Sequence, residues 1–181
     1  QQFVQMMGGD LQVQSGVGEG STFSFNIDID VVDDGDLDDA VHTHHIVGLA
    51  ENQDPCHILV VEDLEDNQLL LRDILNEIGF VVHFANNGEE GVNMVEMLSP
   101  DLVLMDLQMP VMDGYEATRQ IRMNEKYSAL PIIAVTASAL EHQAINAIEA
   151  GCNTVLKKPV QFEQLLSTIG KYANVQYTYQ A

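Results

Sequence analysis

Short, continuous apolar runs alternate with helical patterns from His57 to the end of the chain, and this alternation limits the possible folds more than any other feature. The runs at 58–61, 102–105 and 131–135 contain no alternating polar residues, which is typical of strands buried on both faces. Each run is followed by a segment whose apolar residues recur at the spacing of a helix. The pattern therefore predicts a parallel sheet covered by helices.

Five strand–helix units make up this part of the chain. We predict strands at 58–61, 80–85, 102–105, 131–135 and 154–156, and helices at about 65–78, 89–98, 115–123, 140–150 and 163–172. Five consecutive units favour an α/β fold, a doubly wound, three-layer, flavodoxin-like (βα)5 sandwich. We expect a parallel sheet with strand order 2-1-3-4-5 and right-handed crossovers.

The first third of the chain differs from the rest in charge and in pattern. The chain has 28 acidic and 7 basic residues, a formal net charge of -21, and the first basic side chain is Arg72. Alternating stretches at 11–14 and 23–29, joined by the glycine-rich residues 16–20, predict an N-terminal β-hairpin. Residues 31–55 are acidic and hold few large apolar side chains, so we interpret them as a flexible linker.

Charge and hydropathy exclude several classes of function. The negative charge argues against nucleic-acid binding, because affinity for a duplex comes chiefly from Lys and Arg on phosphates. No apolar run approaches the length of a membrane span, so we expect no direct membrane contact. Because the first residue is Gln1, we interpret the chain as a fragment. Cys56 and Cys152 are expected to be free thiols, which favours a cytoplasmic location even if the parent protein is anchored in a membrane.

Polar residues follow the predicted strands at the edge where ligands of doubly wound sheets bind. These residues are Glu62, Asp63, Asp106, Thr136 and Lys158. Two carboxylates about 5 Å apart repel by about 3 kcal/mol at an effective dielectric of roughly 20, so the three acids call for a cation. Ligands that are all oxygen favour Mg²⁺ over zinc or copper. The sequence therefore predicts a magnesium site at this edge.

A metal ion, a lysine and a hydroxyl together form a receptor for a phosphoryl group. No Ser, Cys or His lies at the centre of the predicted site, so a carboxylate is the group able to accept the phosphoryl group covalently. Asp106, on the central strand, is the best-placed acceptor. Ordinary polar strand ends and a magnesium-dependent phosphohydrolase remain alternatives, although the sequence offers the latter no positioned acid or base beyond Gln108.

Four short motifs at predicted strand ends resemble the receiver domain of two-component response regulators, over residues 57–173. They are Val60-Val61-Glu62-Asp63, Asp106-Leu107-Gln108-Met109-Pro110-Val111-Met112-Asp113-Gly114, Val135-Thr136-Ala137 and Lys158-Pro159. The resemblance implies that Asp106 accepts a phosphoryl group from a phosphohistidine, that Thr136 and Lys158 contact that group, and that the Lys158–Pro159 peptide is cis. It also implies the Mg²⁺ ligands: Glu62, Asp63, Asp106 and the backbone carbonyl of Gln108.

One position departs from the family pattern. Three residues before the matching lysine the family often has a switch aromatic, and this chain has Val155. We therefore expect little conformational output through the face formed by strand 4, helix 4 and strand 5. Gln108 and Ser138 match positions that tune dephosphorylation in the family.

The first 30 residues are similar to the end of a histidine-kinase ATP-binding domain. The similarity rests on Phe3-Val4-Gln5-Met6-Met7-Gly8-Gly9-Asp10 and on Gly18-Glu19-Gly20-Ser21-Thr22-Phe23. We predict a kinase-domain remnant at 1–30, an acidic linker at 31–55, a receiver domain at 56–175 and a tail at 176–181. This order is that of a hybrid histidine kinase cut within its kinase domain. The chain itself is then a phosphoacceptor without an ATP site, while the parent protein is a histidine kinase.

The resemblance implies a place in a phosphorelay. The receiver would relay its phosphoryl group onward or modulate the attached kinase. The implied partners are the dimerisation and phosphotransfer helices of a histidine kinase, or a histidine phosphotransfer protein. In this family the surface of the first helix docks such helices, and three leucines there either serve docking or are extra packing: Leu64, Leu69 and Leu70. The alternative is a receiver-like protein-interaction module that is not phosphorylated.

We predict that Gln108→Ala changes the lifetime of the phosphorylated aspartate, because this side chain matches a position that tunes dephosphorylation. The affinity for Mg²⁺ should stay nearly unaltered, since only the backbone carbonyl of Gln108 is an expected ligand. The decay rate of the phosphorylated chain and a magnesium titration measure the two quantities. An unchanged decay rate would count against this role.

Overall fold

We describe the fold from a computed structural model, which defines residues 10–16, 18, 20–26, 46–137 and 141–180. The chain forms two units, Gln1–Thr43 and His44–Ala181. In the first unit, β1 (Asp10–Gly16) pairs with β2 (Gly20–Asn26) as an antiparallel hairpin. The predicted hairpin is thus present, whereas residues 27–29, predicted to continue its second strand, lie outside the described residues.

The second unit contains the five predicted strand–helix units and two further strands. Its strands are β3 (Ile46–Leu49), β4 (His57–Val61), β5 (Val81–Ala85), β6 (Leu102–Asp106), β7 (Ile132–Thr136), β8 (Thr154–Lys157) and β9 (Tyr177–Tyr179). Its α-helices are α1 (Glu65–Ile78), α2 (Gly88–Leu98), α3 (Gly114–Met123), α4 (Glu141–Ala150) and α5 (Phe162–Ala173), with a 3₁₀ turn at Glu125–Tyr127. The predicted bounds of the five strands and five helices differ from these by no more than one residue.

The central sheet has the strand order β5-β4-β6-β7-β8, and all its neighbours are parallel. This order is the predicted 2-1-3-4-5, and the flavodoxin-like α/β fold is confirmed. Every residue of β6 and β7 is buried, because helices cover both faces of the sheet. Residues from α1 and α5 pack on one face, and residues from α2, α3 and α4 pack on the other.

Buried residues complete the three layers. Cys56 and Cys152 are free thiols, as predicted, and both are buried. Val155 is partly buried against the core beneath α2, α3 and α4. Gly79 follows α1 with a φ of 106°, a left-handed conformation that favours glycine. No helix in the described part of the chain combines the length and the apolar character that a bilayer span requires.

A second small sheet departs from the sequence interpretation. Ile46–Leu49, placed in the predicted linker of 31–55, pairs antiparallel with Tyr177–Tyr179, placed in the predicted tail of 176–181. Both segments therefore belong to the folded second unit. The patterns missed them because a four-residue and a three-residue strand are too short to carry a recognisable period, and each depends on a partner at the far end of the chain.

The Tyr177 side chain attaches this small sheet to α5 and to Phe80. The Tyr177 hydroxyl donates to the Leu166 carbonyl at 2.6 Å, and the Tyr177 ring meets Phe80 edge to face at 6.3 Å. Gly170 lies against the Tyr177 ring, where a Cβ atom would collide with it. The Gln53 side chain donates to the Gln176 backbone carbonyl at 2.8 Å and accepts from the Gln176 backbone N–H at 3.1 Å. The two ends of the second unit are thereby joined.

Tyr177→Ala is expected to lower the free energy of unfolding by about 2 kcal/mol, because it removes a packed ring and a hydrogen bond to α5. Tyr179→Ala, which truncates a residue that is 52% exposed, should lower this quantity by less than half as much. Urea unfolding followed by circular dichroism measures both. Equal losses in the two variants would contradict the anchoring role of Tyr177.

Candidate functional site

The carboxyl ends of four parallel strands bring the predicted site residues to one edge of the sheet. Glu62 follows β4, Asp106 ends β6, Thr136 ends β7 and Lys158 follows β8. Because β6 pairs with both β4 and β7, Asp106 lies on the middle strand of the group. The predicted gathering of these residues follows from strand order alone.

Three acidic side chains meet at this edge. Glu62, Asp63 and Asp106 each offer a carboxylate oxygen, and these atoms lie within 4.8 Å of one another. Glu62 is 2% exposed and Asp106 is 7% exposed, so two of the carboxylates are almost removed from water. Three carboxylates at this spacing, two of them buried, fit a hard divalent cation, because such an ion relieves the repulsion between their charges.

The Lys158 ammonium lies between two of these acids. Its Nζ donates to Glu62 Oε2 and to Asp106 Oδ2, each at 2.6 Å. Partial burial by itself lowers the pKa of Lys158, but the hydrogen bonds and charges of Asp106 and Glu62 outweigh it and raise that pKa above its ordinary value. Lys158 is therefore a firmly charged counterion, and the peptide that joins it to Pro159 is cis, as the resemblance implies.

The loop after β6 orients the Asp106 carboxylate. The Gln108 backbone N–H donates to Asp106 Oδ1 at 2.9 Å, while the Gln108 side chain is exposed. Gly114 passes so close to Asp106 that a Cβ atom would collide with the Asp106 carbonyl oxygen. Val111, at the outer side of this loop, has a φ of 70° and is 80% exposed, an unusual conformation for a β-branched residue. Each carboxylate oxygen of Asp106 thus has its own donor, the Gln108 backbone N–H for Oδ1 and the Lys158 ammonium for Oδ2.

The remaining predicted residues differ in what the structure says of them. Thr136 is wholly buried at the end of β7, and its carbonyl accepts the Lys158 backbone N–H at 2.8 Å. Ser138 lies outside the described residues. Val155 faces the core beside the sheet, two positions from the edge that carries the site.

Two residues of the site were missed by the sequence analysis. Asn67 Nδ2 donates to Glu62 Oε1 at 2.7 Å, and Gln68 Nε2 donates to the Glu62 carbonyl at 2.6 Å. Gln68 is buried and also donates to Asn86 Oδ1 at 3.0 Å. The available signal was a pair of amides in the first turn of a helix that directly follows acidic residues, which by itself is not specific.

An apolar groove opens beside the site between α1 and α5. It encloses about 430 Å³, and three polar residues line it: Glu62, Asn67 and Lys158. Leu104 and Val135 from the sheet contribute to it, together with apolar residues of both helices: Leu70, Leu71, Ile74, Phe162 and Leu165. On the outer surface of α1 and just before it, three leucines are 52–60% exposed: Leu64, Leu69 and Leu70.

Comparison with known proteins identifies one family. The family described as response regulator receiver domain matches residues 58–170. The sensor protein EvgS of Escherichia coli K12 is 32% identical over 174 residues, which is 96% of this chain and 14% of EvgS. The chain spans from 4% to 14% of the length of the sensor proteins and histidine kinases that it matches.

Two solved structures share the fold of the second unit. The receiver domain of the sensor histidine kinase PA1611 from Pseudomonas aeruginosa PAO1, with magnesium coordinated in its active-site cleft, is 36% identical, with a TM-score of 0.63. The match covers 67% of this chain and 99% of that domain. The co-crystal structure of Saccharomyces cerevisiae Ypd1, a histidine phosphotransfer protein, with the Ssk1 receiver domain matches at 34% identity and a TM-score of 0.63, over 66% of this chain and 90% of the matched chain.

We expect Lys158→Met to lower the free energy of unfolding by about 2 kcal/mol in a chelator, because two buried carboxylates lose their counterion. The value is below that for a fully buried pair, since the Lys158 side chain is 23% exposed. Adding Mg²⁺ should restore part of the loss, because an ion that binds only the folded chain stabilises it.

Lys157→Met is the matched control, since Lys157 is exposed and precedes Lys158 in the chain. Its stability should equal that of the parent chain in thermal unfolding with and without Mg²⁺. If the two variants unfold at the same temperature in a chelator, Lys158 does not act as the counterion of this site.

Proposed function

The chain belongs to the response regulator receiver domain family, and we propose that its Asp106 accepts a phosphoryl group from a phosphohistidine. The observation that carries the proposal is the position of Asp106 at the centre of the acidic edge, within 2.6 Å of the Lys158 ammonium. A buried carboxylate beside a fixed positive charge is suited to receive a group that brings negative charge with it. Among the described residues, the group of possible metal ligands at that edge consists of Glu62, Asp63 and Asp106, with no thiol or imidazole in it as a competing nucleophile.

The proposed transfer is a direct displacement at phosphorus. A carboxylate oxygen of Asp106 attacks the phosphorus atom, its P–O bond forms, and the P–N bond to the donor imidazole breaks. The imidazole nitrogen keeps the electron pair of that bond, and a proton already on the other ring nitrogen lets the ring leave as a neutral group. Asp106 thereby becomes an acyl phosphate, and Lys158 and Thr136 are proposed to bind its phosphoryl oxygens.

We propose Mg²⁺ as the cofactor of this site. Glu62, Asp63 and Asp106 would hold it, with the backbone carbonyl of Gln108 as a fourth ligand. When bound, the ion would neutralise negative charge on the transferring phosphoryl group. The magnesium found in the cleft of the PA1611 receiver domain supports this assignment.

The parent protein is proposed to be a hybrid sensor histidine kinase. The EvgS alignment runs over 96% of the chain, so it includes residues of both units. In this proposal residues 1–30 are the end of the kinase ATP-binding domain, the chain lacks an ATP site of its own, and the receiver is cytoplasmic. We further propose that Gln108 and Ser138 tune dephosphorylation. Because Val155 stands where the family often has an aromatic residue, we also propose that phosphorylation causes little conformational change at the face formed by strand 4, helix 4 and strand 5.

Histidine-bearing helices are the proposed partners. Exposed Leu64, Leu69 and Leu70 next to the apolar groove offer a surface on which an amphipathic helix could bury its apolar side chains. The complex of Ypd1 with the Ssk1 receiver supports a phosphotransfer protein as one such partner, and the helices of the attached kinase are the other. The receiver would pass its phosphoryl group onward or modulate that kinase.

Incubation with acetyl phosphate and Mg²⁺ tests the acceptor. We expect the mass of the intact chain to rise by one phosphoryl group, and the increase to disappear in Asp106→Asn, which has the same shape but is a poor nucleophile. Asp101→Asn is the matched control and should retain the adduct, because Asp101 is exposed before β6, at the opposite edge of the sheet. Absence of any adduct in the parent chain favours a binding-only module, and rapid release of phosphate favours a phosphohydrolase.

A further inference from the structure

Every polar group of Glu62 has a partner in the structure. Its backbone N–H donates to the Ala85 carbonyl at 3.0 Å, and its own carbonyl accepts from Gln68 at 2.6 Å. Of its carboxylate oxygens, Oε1 accepts from Asn67 at 2.7 Å and Oε2 accepts from Lys158 at 2.6 Å. A carboxylate that is 2% exposed and held at both oxygens has a fixed orientation.

Asn67 and Gln68 can reach Glu62 because of how α1 begins. Leu64, the residue before α1, offers no side-chain cap, and the backbone N–H groups of Asn67 and Gln68 both donate to the Leu64 carbonyl at 3.0 Å. Their side-chain amides are therefore not used to cap the helix. Both instead extend back across the three-residue connection between β4 and α1 to the acid that starts it.

We propose that Asn67 and Gln68 are positioning residues that hold Glu62 in the orientation in which it binds a divalent cation. This inference rests on the cation site of the proposed function. Because Asn67 occupies Oε1, Oε2 is the oxygen of Glu62 that meets Lys158, whose ammonium also bonds Asp106. Groups that hydrogen-bond to a metal ligand commonly change metal affinity by about 10- to 100-fold when they are removed.

Asn67 matters most when Lys158 turns to another partner. Lys158 now bonds both Glu62 and Asp106, so its ammonium lies where a cation between these acids is drawn. If Lys158 leaves Glu62 for a phosphoryl group, Asn67 is the remaining side-chain donor to that carboxylate among the described residues. The amide thus preserves the orientation of Glu62 while its other oxygen is released.

Gln68 extends the support to the neighbouring loop. Its amide bridges the Glu62 carbonyl and Asn86 Oδ1, and Asn86 donates from its backbone and its side chain to Glu90 Oε2, each at 2.8 Å. These bonds from Asn86 lower the pKa of Glu90. The connection after β4 is therefore tied to the connection between β5 and α2, and its acids do not depend on their own loop alone.

Titration of the full chain with MgCl₂, followed by calorimetry without any phosphodonor, tests the proposal. Asn67→Leu removes the amide and places an apolar side chain at a position that lines the apolar groove. We expect the Mg²⁺ dissociation constant to rise about tenfold. Asn67→Ala should give the same loss, and thermal unfolding in a chelator identifies either variant that fails to fold.

Asn76→Leu is the matched control, because Asn76 is exposed on the same helix, about 13 Å along its axis from Asn67. It should leave the dissociation constant unchanged. In a Lys158→Met background, Asn67→Leu should weaken Mg²⁺ binding by a factor roughly three times larger than in the parent, since two holders of one carboxylate are coupled.

The proposal would be overturned if folded Asn67 variants bound Mg²⁺ with a dissociation constant within about twofold of that of the unsubstituted chain. It would also be overturned if the effects of Asn67→Leu and Lys158→Met on this constant simply multiplied in the double variant. Phosphorylation by acetyl phosphate is measured separately. If the Mg²⁺ affinities change as expected but the unsubstituted chain forms no phosphoryl adduct, the proposed function is contradicted and the positioning role stands. If the adduct forms but the Asn67 variants bind Mg²⁺ as tightly as the unsubstituted chain, only the positioning role is rejected.

Discussion

The Lys158 ammonium between Glu62 and Asp106 is the interaction on which the site depends. Two carboxylates that are almost fully buried repel each other strongly, and a charged partner must lie between them for the sheet edge to close. The same ammonium lies where we propose that a phosphoryl group binds, beside the acids that we propose hold a divalent cation. Lys158 therefore contributes both to the stability of the fold and to the proposed chemistry. It follows β8, the strand of the central sheet that lies furthest along the chain from Glu62.

Different segments of the chain supply hydrogen-bond donors to Glu62 and to Asp106. The loop after β6 supplies a backbone donor to Asp106, and the first turn of α1 supplies amide donors to Glu62. The side chains that we propose act directly on a ligand are thus held in place by neighbouring groups. The apolar groove beside α1 lies next to the same rim, and we propose that a histidine-bearing helix binds there.

Particular elements explain how far the sequence could be read. The strands β4, β6 and β7 were predicted within one residue because burial on both faces demands unbroken apolar runs. Ile46–Leu49 and Tyr177–Tyr179 were assigned to a linker and a tail because strands this short have no period, and their pairing joins distant ends of the unit. Among site residues, the acids and Lys158 were found from their places at strand ends, while Asn67 and Gln68 were missed because amides on a helix carry no distinctive spacing.

The sequence by itself determined the order of the layers and which edge of the sheet carries the acids, the hydroxyl and the ammonium, because hydrophobic period and strand polarity are local properties of the chain. Only the tertiary structure decided which oxygen meets which donor. Contacts such as Lys158 with Glu62, or Asn67 with the opposite oxygen of the same carboxylate, depend on side-chain orientations that packing sets across residues far apart in the chain. The types of the residues at the sheet edge thus indicated the proposed chemistry, whereas the distances between their atoms were set by the fold.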